Sequence, residues 1–326
     1  MKALRFSEYG PPSALALEEI PKPEPRRGEV VVQIKATAIN PSDVKNVAGA
    51  FKSSLPRVPG RDYAGIIVEG DEKKGIEVWG SGAGFGIVRD GAHSEYIVIP
   101  NEWISQKPPR LSMEQAATVG VPYLTAWSAL VRVGNIQEGE TILIVGVSGA
   151  VGRAATQIAH WKKAHVIGAA RHSDNPAKAD AVVNTATDDL AQEVRSLTGG
   201  KGADLVLDAV GGLMFEPSLK SLRRGGRQIA ISSTNERTVT FNLVDFYHNE
   251  SRLMGLDTLK FTGPEIAEIM NDLAVGFESG DLEPPPVATW SLERGVEAYE
   301  VVAKGAAQTK QVLVPGASKQ KEKTNG

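Results

Sequence analysis

The sequence predicts an α/β protein in which a doubly wound parallel sheet is inserted into a β-rich domain. Three observations predict it. Residues 141–152 read T-I-L-I-V-G-V-S-G-A-V-G, a β-branched apolar run that passes through glycines into a helical pattern. Strand and helix signals alternate from there to about residue 257, as βαβ crossovers require. Before residue 112 the texture is different, with short strand signals separated by glycine and proline turns.

Residues 141–145 suit a strand buried on both faces of a parallel sheet. Gly146, Gly149 and Gly152 follow at three-residue spacing, with Ser148, Ala150 and Val151 between them. In residues 153–161, Ala154, Ala155, Ile158 and Ala159 share one helical face. A plain tight turn would explain the glycines alone. Strand, glycine turn and helix in that order do more: they bring free N–H groups and the positive helix end to a pyrophosphate. The segment is a candidate dinucleotide site.

The other elements follow from the same signals. Strands are expected at residues 1–6, 14–20, 29–39 and 66–69, with the pattern continuing through 78–80 and 91–100. Ser112 and Gln115 form a capping box for a helix to residue 119. Pro122 suits the first turn of a second helix, ending near residue 133 before Gly134. Beyond the central strand, strands are expected at 164–169, 181–184, 203–208, 226–232 and 252–257, and helices at 190–197 and 213–222. A helix at 264–277, a stiff Pro284-Pro285-Pro286 linker, a helix capped by Ser291 and a strand at 311–314 complete the chain. The expected domains are residues 1–118 with 259–315, catalytic and β-rich, and residues 119–258, nucleotide-binding. Residues 316–326 are lysine-rich and apolar-poor, an expected disordered tail.

Composition narrows the function. A chain of 326 residues has room for two domains. Its net charge of −3 and lack of a basic stripe argue against a nucleic-acid or anionic-membrane partner. No apolar run reaches bilayer length and no signal-peptide core opens the chain, so a soluble cytoplasmic protein is expected. There is no cysteine, which excludes disulfides, thiolate nucleophiles and cysteine-ligated zinc. His93, His160, His165, His172 and His248 show no ligand spacing with a carboxylate, so no metal is expected.

Several motifs then carry a resemblance. They are Asn40-Pro41-Ser42-Asp43, Val58-Pro59-Gly60-Arg61-Asp62-Tyr63-Ala64-Gly65 and Gly91-Ala92-His93-Ser94-Glu95-Tyr96. Leu111 to Ala117, Leu124-Thr125-Ala126-Trp127 and Asp208-Ala209-Val210-Gly211-Gly212 add to them. In this order the chain resembles zinc-independent medium-chain dehydrogenases/reductases of the quinone-oxidoreductase type, from residue 1 to about 315. The resemblance implies a Rossmann domain inserted in a GroES-like catalytic domain, with the active site in the cleft. It implies a homodimer joined through the edge strand at 252–257. It also implies that Asn40 and Thr125 donate to the nicotinamide or substrate oxygen, with Lys45 a further donor and Asp43 ordering the Asn40 loop. Val210, Gly211 and Ser232 become cofactor contacts, and Trp127 is expected to pack between the domains.

The departures matter as well. Zinc-dependent relatives carry a cysteine near Asn40, Gly-His-Glu where Gly60-Arg61-Asp62 stands, and a four-cysteine lobe. Relatives often carry a tyrosine where Lys45 stands and an arginine where Val47 stands, so the substrate class is left open.

Cofactor choice rests on the end of the second parallel strand, Gly168-Ala169-Ala170-Arg171-His172-Ser173. An acidic residue there would select NAD through its ribose hydroxyls. Arg171 offers a bidentate pair to a 2′-phosphate instead, and Ser173 and Lys178 add a hydroxyl and a charge, against which stands Asp174. NADPH is therefore the expected cofactor. Without a metal a carbonyl must be polarised by fixed donors, which suits acceptors that delocalise charge. The leading expectation is an NADPH-dependent, metal-free reductase of a small-molecule quinone or α,β-unsaturated carbonyl. A zinc-free aldehyde or ketone reductase or alcohol dehydrogenase is one alternative, and a nucleotide-binding protein with no turnover is another.

Overall fold

The computed structural model describes residues 1–70, 73–172, 177–233, 236–305 and 309–316. Ser173, Asp174 and the expected tail at 317–326 lie outside the described residues. The chain divides into two compact units. The first holds Met1–Val121, Leu259–Glu278 and Glu283–Gly326, and the second holds Pro122–Thr258 and Ser279–Leu282. No helix among the described residues is long and apolar enough to cross a membrane.

The second unit is built on a six-stranded parallel sheet. Its order is Ala181–Asn184, His165–Ala170, Thr141–Val145, Ala203–Asp208, Leu222–Ala230 and Arg252–Gly255. Numbered along the chain this order is 3-2-1-4-5-6, that of a doubly wound nucleotide-binding sheet. Register sets Val145 beside Ala169 and Asp208, and Asp208 beside Ala230, so the C-terminal strand ends form one row. Helix Ala150–Trp161 buries Ala154, Ala155, Ile158 and Ala159, the face its spacing predicts. Helix Leu190–Leu197 and strand Ala203–Asp208 have the expected bounds. At the opposite strand ends, Arg227 grips Glu140 with two bonds, of 2.9 and 2.7 Å.

Two expectations need correction in this unit. The helix expected at 213–222 is a 3-10 turn, Gly212–Met214, followed by Phe215–Lys220, because Leu222 already belongs to the next strand. The helix opened by Pro122 begins at Gly120 and widens into a π-helix over Ser128–Val133. Trp127 stacks within its own unit, 5.4 Å from the Trp161 ring, with the Lys162 ammonium over both rings. A cation between two ring faces explains that pairing locally.

In the first unit, Lys2–Phe6 pairs antiparallel with Leu15–Glu19. A larger sheet runs Val287–Ser291, Lys310–Val314, Glu29–Ala38, Tyr63–Glu69, Glu77–Gly80 and Ser105–Gln106, with Tyr96–Pro100 also on Glu29–Ala38. Strand Glu29–Ala38 centres it because seven of its ten residues are buried. Val30, Val32, Ile34, Ile67, Val78 and Ile99 form one core, and Leu4, Phe6, Ile39, Val47, Tyr299 and Leu313 another. The capping box at Ser112 is present, with Gln115 N–H donating to its hydroxyl. Residues 287–291, unassigned from sequence, follow the proline run directly as a strand parallel to Lys310–Val314. Pro41–Val47 and Leu243–His248 are short helices, the first in the first unit and the second in the second, and neither periodicity predicted.

Candidate functional site

In the nucleotide unit the candidate residues gather at the row of C-terminal strand ends. Strand Thr141–Val145 leads into Gly146, whose φ of +84° is a left-handed conformation that L side chains rarely adopt. Gly149 N–H donates to Gly146 O at 3.0 Å, closing the turn, and Gly149 then precedes helix Ala150–Trp161. A Cβ on Gly152 would stand 2.4 Å from Gly146 O, so only glycine lets the helix start this close to the strand. Arg153 Nε holds the turn from below by donating to Ser148 O at 2.9 Å. No side chain caps the helix start and no acidic residue lies in its first turn. Gly149 and Ala150 are exposed, and Ser148 and Val151 half-buried. Uncapped N–H groups at the positive end of a helix form a fitting cradle for a pyrophosphate.

The neighbouring strand ends supply the rest. Strand His165–Ala170 delivers Arg171, which is exposed and carries no ion pair to a described residue. Ser173 lies outside the described residues, and Lys178 is exposed. At the end of Ala203–Asp208, Asp208 Oδ1 accepts the N–H groups of Val210 and Gly211 at 3.0 and 2.8 Å. Its Oδ2 is buried without a hydrogen-bond partner. Burial pushes the Asp208 carboxyl up, against the two N–H donors that pull it down. Ser232 is exposed just beyond Leu222–Ala230. Thr125 belongs to the same unit, 8% exposed in a helix that is buried nearly all round rather than amphipathic.

In the catalytic unit Asn40 and Asp43 lie at the start of helix Pro41–Val47. Asp43 Oδ2 accepts Asn40 N–H at 2.8 Å, which orders the loop as the sequence implied. Asn40 is 1% exposed, and its side chain bonds other side chains. Its Nδ2 donates to Asp62 Oδ2 at 2.8 Å, and its Oδ1 accepts from the Lys310 ammonium. Asp62 Oδ1 accepts from Ser81 Oγ at 2.6 Å and Val121 N–H at 2.9 Å. Arg61 donates to Ser42 Oγ and sits 3.6 Å from Asp43 Oδ1. Burial pushes Asp62 up, opposed by Lys310 and its hydrogen bonds, and pushes Lys310 down, opposed by Asp62 and Asp43. Lys45 is on the exposed face of the same helix.

Sequence reasoning picked out Asn40 and missed its partners Asp62 and Lys310, as well as Arg61 beside Asp43. Asp62 and Arg61 stood in a quoted motif without a role. Lys310 lies 270 residues from Asn40, and only the pairing of Lys310–Val314 with Glu29–Ala38 brings it there.

Beside this network His93 is fully buried, with Nε2 3.3 Å from Ala38 O and Nδ1 2.8 Å from the Tyr299 hydroxyl. A carbonyl only accepts, so Nε2 carries the proton and Nδ1 accepts from Tyr299. Among the described residues no group of three or more His, Cys, Asp or Glu side chains is placed to hold a metal ion. The donor set around Asn40, with two cations packed into it, does not fit zinc.

Residues 26–109 match the alcohol dehydrogenase GroES-like domain, and residues 150–274 match a family described as zinc-binding dehydrogenase. A zinc-type alcohol dehydrogenase-like protein of Schizosaccharomyces pombe is 35% identical over 288 residues, 86% of each chain. Quinone oxidoreductase of Homo sapiens is 29% identical over 327 residues, covering 96% of this chain and 97% of that one. The crystal structure of Escherichia coli quinone oxidoreductase complexed with NADPH is similar at a TM-score of 0.83 and 26% identity. That likeness covers 97% of this chain and 100% of the other.

Burial holds the His93 imidazole below its usual pKa, so the unfolded chain takes up the proton first and stability falls as pH drops below about 6.5. His93→Gln is expected to lower stability at about pH 7.5 yet flatten its decline toward about pH 5.5, by up to about 1.4 kcal/mol per pH unit. Urea melts of both proteins across this range check it, and parallel pH profiles would exclude His93 as the titrating group.

Proposed function

The chain belongs to the medium-chain dehydrogenase/reductase family, quinone oxidoreductase-like, and from that premise we propose that it reduces a quinone or an α,β-unsaturated carbonyl with NADPH and without a metal. It is an NAD(P)H-dependent oxidoreductase. The observation that carries the finer reading is the donor set around Asn40, where Arg61 and Lys310 occupy the surroundings that a Lewis acid would need. Fixed donors polarise a carbonyl less than a metal does, which favours acceptors that spread charge onto a distant oxygen.

Bound NADPH supplies the hydride. The turn of Gly146, Ser148, Gly149, Ala150, Val151 and Gly152 holds its pyrophosphate on the uncapped helix start. Arg171 would pair with the 2′-phosphate, Ser173 is a further candidate outside the described residues, and Val210, Gly211 and Ser232 would contact the cofactor from the later strand ends. Asn40, Thr125 and Lys45 donate to the substrate oxygen. A cytoplasmic location is part of this reading. So is a homodimer across the edge strand Arg252–Gly255, whose Leu253 is exposed together with Leu243, Val244 and Tyr247.

Steady-state oxidation of NADPH with a quinone, an enone and a simple aldehyde tests the function, together with elemental analysis for zinc. Turnover of the first two in zinc-free protein is expected. Turnover of the aldehyde alone, or one tightly held zinc per chain, would overturn the reading.

Arg171→Ala is expected to weaken NADPH binding roughly ten- to a hundredfold, because a charge-assisted pair is worth about 1.5–3 kcal/mol. NADH affinity should hardly change. Fluorescence titration of both cofactors decides, and equal losses would make Arg171 a surface loop residue.

Sedimentation at micromolar concentration is expected to give a dimer, and Leu253→Glu a monomer. A monomeric native chain would remove the edge-strand interface.

A further inference from the structure

Lys310 opens strand Lys310–Val314, and its ammonium donates to Asn40 Oδ1 while Asn40 Nδ2 donates to Asp62 Oδ2. An asparagine amide has one acceptor oxygen and two N–H donors. Here the oxygen faces a cation and the nitrogen faces a carboxylate. A flipped amide would set its NH2 group against the ammonium and its oxygen against Asp62, two repulsive contacts in a buried site. Asp62 cannot turn aside, since its other oxygen is held by Ser81 Oγ and Val121 N–H. The Asn40 backbone is fixed as well, through its N–H on Asp43.

We propose that Lys310 is a positioning residue that locks the Asn40 amide in one orientation, leaving one N–H on Asp62 and the other as the amide's remaining donor for a substrate oxygen. Asn40 then presents a donor and no acceptor, which selects for a carbonyl or quinone oxygen over a hydroxyl that must donate. The proposal rests on the reading of Asn40 as the substrate-oxygen donor. The full lock needs the charged amine, because a neutral amine can accept as well as donate and leaves Asp62 alone to oppose the flip. Asp62 and Asp43 face the ammonium and favour that charge, whereas burial and Arg61 oppose it. Lys310 therefore loses its proton at a lower pH than an ordinary lysine, and the lock weakens on the alkaline side.

The test uses Lys310→Met and Lys310→Arg in the full chain with NADPH and a quinone. Lys310→Met is expected to lower kcat about tenfold or more while the KM for NADPH stays within about threefold. Lys310→Arg is expected to recover most of kcat and to move the alkaline limb of the pH profile upward, since a guanidinium stays charged. A second readout needs no turnover: the side-chain amide signal of Asn40 in protein labelled with ¹⁵N-asparagine, identified by its loss in Asn40→Ala. That signal should shift in Lys310→Met and be largely restored in Lys310→Arg. An unshifted signal overturns the lock whatever the activity does. A shifted signal with unchanged kcat overturns the link to substrate. If the native enzyme turns over no quinone or enone, the functional reading fails and the amide signal still decides the lock. If Lys310→Met does not fold, an unmoved alkaline limb in Lys310→Arg overturns the proposal.

Discussion

Four charged groups, those of Asp43, Arg61, Asp62 and Lys310, lie together in the catalytic unit, and the arrangement of this unit depends on keeping them balanced. Two carboxylates and two cations sum to zero, and hydrogen bonds from Ser81, Asn40 and Val121 satisfy the oxygens of Asp62. Charge taken out of water costs several kcal/mol per ion unless it is paired with good geometry. Removing one member leaves the network one charge out of balance, and breaking a buried ion pair costs about 3–5 kcal/mol. The network therefore ties together the helix at Pro41–Val47, the loop before Tyr63–Glu69 and strand Lys310–Val314, elements far apart in the chain.

The nucleotide unit solves its problem by the opposite means. Its site is made by missing side chains and by backbone direction. Gly146 turns the chain through a left-handed conformation, and Gly152 lets the helix begin against the turn. Parallel strands in register then deliver Arg171, Val210, Gly211 and Ser232 to one row, with no charge network to hold them. Asp208 is the exception, a buried carboxylate that fixes the loop after its strand through two N–H bonds.

This contrast explains what could be read from the amino-acid sequence. The parallel sheet was legible because its signals are local: an apolar run at Thr141–Val145, glycines at fixed spacing, and an alanine-rich face on Ala150–Trp161. Helix Leu190–Leu197 and strand Ala203–Asp208 were found to the residue for the same reason. The short strand Val287–Ser291 was not, since it owes its form to pairing with Lys310–Val314 rather than to alternation. Helix Pro41–Val47 carried a signal that went unused, a proline in the first turn with Asp43 three residues after Asn40. The partners of Asn40 were illegible for a deeper reason. A lysine before a β-branched run looks like any strand-end lysine until the fold sets it on an amide 270 residues away.

Metal-dependent and metal-free members of one fold face the same electrostatic demand, to hold positive potential near an oxygen that gains charge. A bound dication meets it with one centre whose ligands are thiolates and imidazoles. In this chain arginine stands in the Gly-Arg-Asp motif, no cysteine stands near Asn40, and a lysine arrives from the far end of the sequence. Two monovalent cations spread over several ångströms, each partly cancelled by a carboxylate, make a weaker and more diffuse potential than a dication. What such a site can supply instead is geometry. An amide held at both ends keeps its direction without reorganising when charge develops, and preorganised donors act through that saving. In the proposed function, an oriented amide in place of a Lewis acid would trade field strength for direction, a trade that suits acceptors whose own conjugation lowers the field they need.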